Sequence, residues 1–177
     1  MTTIGIIGGS GMLGRPIAIL RSGAPLWVSN RSGKSEGFEG TPTVTTDNQA
    51  LVEACDVVLL CVPPAQAGGL NINAQGKLVV SVMAGISLSK IKEITGSQRA
   101  VRAMSSPAAQ LSLAYSPWCA SADVTAQDKA AVTAMFATCG TTDEVTTEAQ
   151  IELFTAITGP VPGFVAYFAD CMSTYAT

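Results

Sequence analysis

The chain reads as an α/β protein built on a doubly wound, mostly parallel sheet, and three observations predict it. A short β-branched strand, Thr3 to Ile7, opens the chain and runs into a glycine-rich turn, GIIGGSGMLG over residues 5–14. Strand-like and helix-like runs then alternate with short turns, the order that gives parallel strands with crossover helices. The clearest strand run, Asp56 to Val62, is apolar without alternation, as a strand covered on both faces must be.

Each element follows from local chemistry. Thr3 to Ile7 is the first strand. Met12 to Leu20 places apolar residues at helical spacing, with Pro16 early enough that its missing amide hydrogen costs little. Pro25 to Asn30 is the second strand, and Arg31 to Gly40 is a polar loop. Thr43 to Thr46 is a weak third strand, after which Asp47 caps a helix running through Cys55. Asp56 to Val62 is the fourth strand, ended by Pro63-Pro64. Lys77 to Val82 is the fifth, followed by the Ala84-Gly85 turn and a helix capped by Ser87 that runs toward Thr95. Arg99 to Met104 is the sixth. From Ser112 the pattern changes: Leu113 to Ala120, a helix over Thr125 to Thr138, and a short strand near Thr141 to Val145. A helix from Thr147 to Ile157 leads into the turn Thr158-Gly159-Pro160-Val161-Pro162-Gly163, and Phe164 to Met172 starts a last helix.

The glycine turn holds two overlapping spacings. Gly9, Gly11 and Gly14 form G-x-G-x-x-G, while Gly8, Gly11 and Gly14 form G-x-x-G-x-x-G. Glycines also mark ordinary strand-to-helix turns. Here strand, turn and helix arrive in the order that brings backbone to a pyrophosphate and aims a helix dipole at its charge. Gly8, Gly9, Ser10, Gly11, Met12 and Leu13 are therefore the expected cofactor-binding segment of a Rossmann-type domain. A sheet of this kind that prefers NAD ends its second strand in a carboxylate, which holds the ribose 2′-hydroxyl. This strand ends Ser29-Asn30-Arg31-Ser32, with Lys34 shortly after. Asn30, Arg31, Ser32 and Lys34 suit the 2′-phosphate of NADP, since arginine grips phosphate through two donors. A solvated loop is the bland alternative. NADP(H) is the expected cofactor.

Composition narrows the partners. At 177 residues the chain is one ordinary domain and little more. Charged residues make up 13%, against a usual share of about 25%, so another chain or domain is expected to cover part of the surface. A net charge of −3 with no basic run argues against nucleic acid. The longest apolar run, Val57 to Val62, is too short to span a bilayer, and the amino terminus shows no signal-peptide pattern. No membrane partner is expected. Five scattered cysteines without a C-x-x-C pair read as reduced core thiols of a cytoplasmic protein. Histidine is absent, which removes the commonest general acid–base and metal ligand; no metal site is expected.

Elimination narrows the reaction. A tyrosine–lysine pair four residues apart, the signature of short-chain dehydrogenases, is missing: Tyr115 is followed by Cys119 and Tyr167 by Cys171. Gly163 to Thr177 contains no lysine, which speaks against the β-hydroxyacid dehydrogenases. The turn from Gly8 to Gly14, Asn48 ahead of Asp56 to Leu60, the run Val79-Val80-Ser81-Val82-Met83-Ala84-Gly85-Ile86, Arg102-Ala103-Met104-Ser105-Ser106-Pro107 and the turn Thr155 to Phe164 occur in one order and spacing. In these the chain resembles the pyrroline-5-carboxylate reductases over most of its length. Cys61-Val62-Pro63-Pro64 stands where that family has Ala-Val-Lys-Pro, and Pro160 replaces a serine of its late turn.

The resemblance implies a cofactor site that adds Asn48, Cys61, Val62, Pro63, Ala84 and Gly85 to the glycine turn. It implies hydride transfer from NADPH to a cyclic imine, with a cyclic imine carboxylate as the substrate class. A protonated imine needs orientation more than a strong protein acid, which a site without histidine can supply. Glu148, Thr158, Ser105 and Ser106 are the candidates for substrate contact, each with a cap or turn role as its alternative. The expected division is an NADP-binding domain over 1–158 and the first helix of a dimerisation region over 159–177. Phe164 to Met172 has almost no polar face, and a helix apolar all round is normally buried, so a homodimer is expected. Two other readings stay open: an NADP-binding sensor or partner subunit without turnover, and a reductase working between NADP and a deazaflavin.

Overall fold

The computed structural model describes residues 2–20, 25–38, 40–158 and 160–176. Among the described residues nine strands follow one another: β1 (Ile4–Ile7), β2 (Leu26–Ser29), β3 (Thr43–Thr45), β4 (Val57–Leu60), β5 (Leu78–Ser81), β6 (Ala100–Ala103), β7 (Ala114–Tyr115), β8 (Trp118–Ala120) and β9 (Gly140–Thr141). The helices are α1 (Gly14–Leu20), α2 (Asn48–Ala54), α3 (Leu88–Thr95), α4 (Ala126–Ala137), α5 (Glu148–Thr158) and α6 (Val161–Ala176), with 3-10 turns over Pro64–Gly69 and Pro107–Leu111. Seven strands form one sheet in the order β3-β2-β1-β4-β5-β6-β8. All neighbours in it are parallel except β6 and β8. The order reverses between β1 and β4, the doubly wound pattern whose reversal point opens a crevice at the strands' carboxyl ends.

Alternation along the strands sorts the core into two layers. Val57 and Leu59 of β4 join Ile6, Val28, α1's Ile17 and α4's Val132, Met135 and Phe136 on one face. Val58 and Leu60 join Leu51 and Val52 of α2 and Ile91 of α3 on the other. With both faces covered, β4 buries all four residues, as its unbroken apolar run predicts. Gly5 of β1 lets α2 lie close: a Cβ there would come within 2.9 Å of Cys55 Sγ.

The sequence expectations hold for element type and shift at the edges. Asp47 caps α2 through the amides of Gln49 and Ala50, and Ser87 caps α3 through Lys90. Thr125 and Asp128 close a capping box on α4. Two corrections arise near the carboxyl end. The run Leu113 to Ala120 divides at Ser116-Pro117. β7 leaves the main sheet to pair with β9, while β8 closes the edge antiparallel to β6. The last helix starts at Val161 rather than Phe164, because Pro162 falls in its first turn, where no amide is required. Gly159 of the expected turn lies outside the described residues.

α5 is fastened to the sheet and α6 is not. Ile151 is buried with Met104 and Cys119. α6 buries none of its residues, and Phe164, Val165, Tyr167, Phe168 and Met172 are all exposed. Together the two helices, Glu148–Ala176, are long and apolar enough by length and composition to cross a bilayer. Uninterrupted apolar runs alone do not reveal this stretch, because Gly159, Pro160, Pro162 and Gly163 break it.

Candidate nucleotide-binding site

A cleft of about 750 Å³ lies at the carboxyl ends of β1, β2 and β4, where the strand order reverses. Its floor is the glycine turn. Gly8 has φ +82°, a left-handed conformation suited to glycine, and a Cβ there would come 2.9 Å from the Cys61 carbonyl carbon and oxygen. The amides of Gly8 and Gly9 both donate to the Ser29 carbonyl, at 3.0 and 3.1 Å, which fixes the turn against β2. Gly11 donates to the Gly8 carbonyl at 3.0 Å. The amides of Ser10, Met12, Leu13 and Gly14 have no hydrogen-bond partner among the described residues. Unmatched amides at a helix start bind anions readily.

The glycines divide their roles. A Cβ at Gly11 would meet only the Gly8 and Cys61 carbonyl oxygens, at 3.2 and 3.7 Å, and Gly11 lines the open cleft. A Cβ at Gly14 would fall 2.8 Å from Gly9 Cα, so this glycine serves close packing of α1 on the turn. Gly9 backs onto Val28.

The rim beyond β2 is a pre-formed polar turn. Asn30 Nδ2 donates to the Lys34 carbonyl at 2.9 Å, Ser32 Oγ donates to Asn30 Oδ1 at 3.1 Å, and the Lys34 amide donates to Ser32 Oγ at 3.3 Å. The Asn30 amide holds the turn to β3 through the Thr45 carbonyl at 3.1 Å. The exposed Arg31 makes no ion pair with any described residue. Across the cleft, Ser29 Oγ donates to Asn48 Oδ1, orienting that amide at the start of α2. The set fits a phosphorylated dinucleotide: unpaired amides and an open glycine for the pyrophosphate, and a guanidinium with hydroxyl and amide donors for a 2′-phosphate.

The structure brings most of the expected cofactor residues together. Gly8, Ser10, Gly11, Asn30, Arg31, Ser32, Asn48, Cys61, Val62 and Pro63 line the cleft. Gly9, Met12, Leu13, Lys34, Ala84 and Gly85 do not. Met12 projects to solvent, Leu13 packs on the core, and Lys34 contributes its backbone to the Asn30 turn. Ser29, Thr46, Gln66 and Leu70 also line the cleft and were not foreseen. Pro63-Pro64 read only as a strand end, although proline favours the first position of a helical turn, here Pro64–Gly69. Burial pushes the Cys61 thiol far above its ordinary value, with nearby Cys139 adding to the shift, so it remains a protonated wall group.

The candidates for substrate contact stand elsewhere. Ser105 is buried and accepts a hydrogen bond from Ser116 Oγ at 3.0 Å. Ser106 precedes the Pro107–Leu111 turn without a side-chain cap. Glu148 Oε1 accepts from the Leu88 amide at 2.7 Å and from Arg102 Nη1 at 2.9 Å. It bridges α3, β6 and α5. The Thr158 side chain lies outside the described residues.

Comparison with known proteins agrees with this geometry. The family model described as NADP oxidoreductase coenzyme F420-dependent matches residues 3–85, the stretch that builds the cleft. A pyrroline-5-carboxylate reductase of Methanosarcina acetivorans is 29% identical over 136 residues, covering 73% of this chain and 50% of that protein. The crystal structure of the Plasmodium falciparum pyrroline carboxylate reductase with NADP bound superposes with a TM-score of 0.83 at 25% identity, covering 96% of this chain and 67% of that one. The chain spans about half the length of several curated relatives it matches. The pyrroline-5-carboxylate reductase of Corynebacterium melassecola is 32% identical over 191 residues, 97% of this chain and 69% of that protein. A match of that extent reaches well past the nucleotide cleft and through α5, and by it this chain belongs to the pyrroline-5-carboxylate reductase family.

Proposed function

We propose that the chain is an NADPH-dependent reductase acting on the C=N bond of a cyclic imine carboxylate. The observation that carries the cofactor is the Asn30–Lys34 turn: a guanidinium and hydroxyl donors stand at the cleft where an NAD site would place a carboxylate. Gly8, Ser10 and Gly11 would receive the pyrophosphate, Arg31 and Ser32 the 2′-phosphate, and Val62 and Pro63 the wall beyond β4. When bound, the nicotinamide supplies the hydride. The protein's part is to hold it beside an imine whose own protonated nitrogen makes the carbon electrophilic. The NADP-bound relative and the Corynebacterium reductase support this reading.

The deazaflavin reading has narrower support, since the family model that carries that name stops at residue 85. Free thiols at Cys55, Cys61, Cys119 and Cys171 support a reducing, cytoplasmic setting. The exposed apolar face of α6 supports a homodimer as the working form.

The deciding assay follows NADPH oxidation against a pyrroline carboxylate, a ketone and a deazaflavin in parallel. Turnover with the cyclic imine alone supports the reading. Preferred turnover with the deazaflavin, or tight NADPH binding without turnover on any acceptor, replaces it with the corresponding alternative.

A further inference from the structure

Arg15, on the first turn of α1, reaches the far end of the loop that leaves β2. Its Nη2 donates to the Glu36 carbonyl at 3.3 Å, and its Cζ lies 5.9 Å from the centroid of the Phe38 ring. Between these two, Gly37 sits at φ +82°, and a Cβ on it would come 3.0 Å from Arg15 Cζ and 3.1 Å from either Nη. The guanidinium thus lies flat against the Gly37 backbone, packed on three successive residues. Phe38 in turn rests on the core. Phe38 also closes a turn by donating its amide to the Ser35 carbonyl at 3.3 Å.

This clasp has a place in the cleft's design. The near end of the loop is fixed by the Asn30–Ser32–Lys34 hydrogen bonds, which enclose Arg31 and Ser32, the residues expected to meet the 2′-phosphate, and the Arg15 clasp holds the far end of the same loop. Arg15 belongs to the helix that follows the pyrophosphate turn; its amide donates to the Gly11 carbonyl at 3.0 Å. One side chain therefore ties the element expected to hold the pyrophosphate to the loop expected to hold the 2′-phosphate. We propose that Arg15 is a positioning residue for NADPH selectivity, acting through Gly37 and Phe38 to hold Arg31 and Ser32 at the cleft.

This role rests on the 2′-phosphate reading above and acts through the population of the competent loop conformation. A ligand's apparent dissociation constant rises in inverse proportion to the fraction of protein in the competent conformation. Loosening the loop should weaken a ligand that uses Arg31 and Ser32 and spare one that does not. A cation beside a half-buried ring, together with one charge-assisted bond, corresponds to about a tenfold change.

The test measures the dissociation constants of NADPH and NADH, by quenching of the protein's tryptophan fluorescence, for the unaltered chain, Arg15→Gln and Phe38→Leu. The expected result is NADPH weakened about tenfold in both variants with NADH unchanged, and no further loss in the double variant. Selective loss in Arg15→Gln but none in Phe38→Leu would mean that Arg15 touches the phosphate itself, which overturns the positioning role. Equal weakening of NADPH and NADH, or none, overturns it as well. If the unaltered chain binds both cofactors equally, the 2′-phosphate reading falls and takes this proposal with it. A preference left undiminished by Arg15→Gln sinks this proposal alone.

Discussion

Arg102 on β6 and Glu148 on α5 meet at 2.9 Å, and the same carboxylate oxygen receives the Leu88 amide at the start of α3. The Arg102 side chain is 1% exposed, and Glu152 takes its second Nη at 2.5 Å. Burial works against the charge, yet the hydrogen bonds to Glu152 and Glu148 outweigh it and hold the guanidinium above its ordinary value. A charge buried in a sheet needs such partners, because an unpaired one costs several kcal/mol. The resemblance implies substrate contact for Glu148; in the fold its carboxylate also clamps three elements.

Glu148→Ala should therefore lower stability by about 1.5–3 kcal/mol while leaving the NADPH dissociation constant unchanged. Urea unfolding beside a cofactor titration checks both. An unchanged unfolding midpoint with lost turnover would return Glu148 to the substrate site.

Arg31→Ala should erase most of the difference between NADPH and NADH. Loss of a charge-assisted contact costs about 1.5–3 kcal/mol, roughly ten- to hundredfold in affinity. Fluorescence titration with both cofactors gives the answer. Equal affinities before mutation would remove the assignment.

Two glycines should respond differently. Gly11→Val projects into the cleft, with the Gly8 and Cys61 carbonyl oxygens as its nearest neighbours, and should abolish NADPH binding while unfolding stays cooperative. Gly14→Ala meets the backbone of Gly8 and Gly9 and should cost about 1–3 kcal/mol of stability. Thermal melts and titrations of the pair separate the cofactor role from the packing role. Normal cofactor binding by Gly11→Val would show that this glycine serves only the turn.

What could be read from residue order was what rests on local chemistry. Asp47 and Ser87 announce their helices, because a cap needs only its own next three amides. The glycine turn and the acid-free end of β2 located the cleft for the same reason. Long-range partners were not legible. Glu148 lies sixty residues from the Leu88 amide it accepts, and only folding brings it there. β7 looked continuous with β8, since nothing short-range says which sheet a two-residue strand will join. Gln66 and Leu70 carry no local signal, because a 3-10 turn after Pro63 has no hydrophobic period to betray it.

Alkaline pH should weaken the fold through its buried thiols, Cys61 at the cleft and two others away from it. Burial pushes Cys55 up to about 11, partly opposed by Lys77, and pushes Cys119 to about 11, with Glu148 adding and Arg102 opposing. Unfolded thiols ionise from their ordinary value of 9.0 upward, whereas the native ones keep their protons longer. The folded state then binds more protons than the unfolded one. Stability is full below pH 9 and falls between about pH 9 and 11. A double Cys55→Ala, Cys119→Ala variant should lose less of its melting temperature across that window. An identical pH profile would assign the alkaline limb to other groups.

The last prediction concerns α6. Its 16 residues carry one charge, Asp170, and expose Phe164, Val165, Tyr167, Phe168 and Met172 together. A bare apolar helix of that kind calls for a partner. A bilayer is the weaker partner: α5 is tied to the sheet by Ile151 and by two carboxylates on Arg102, so the first helix of the long apolar stretch Glu148–Ala176 is already held by the protein. A second copy meets the need through the same surface used twice. Sedimentation of the 177-residue chain at micromolar concentration should give a dimer. Removing residues 164–177 should give a monomer that still binds NADPH. Cys171, exposed on α6, supplies an independent readout, since its alkylation should slow as concentration rises and the dimer forms. A monomer at every concentration with unchanged Cys171 labelling would exclude the dimer, and co-flotation with neutral phosphatidylcholine vesicles would replace it with membrane attachment.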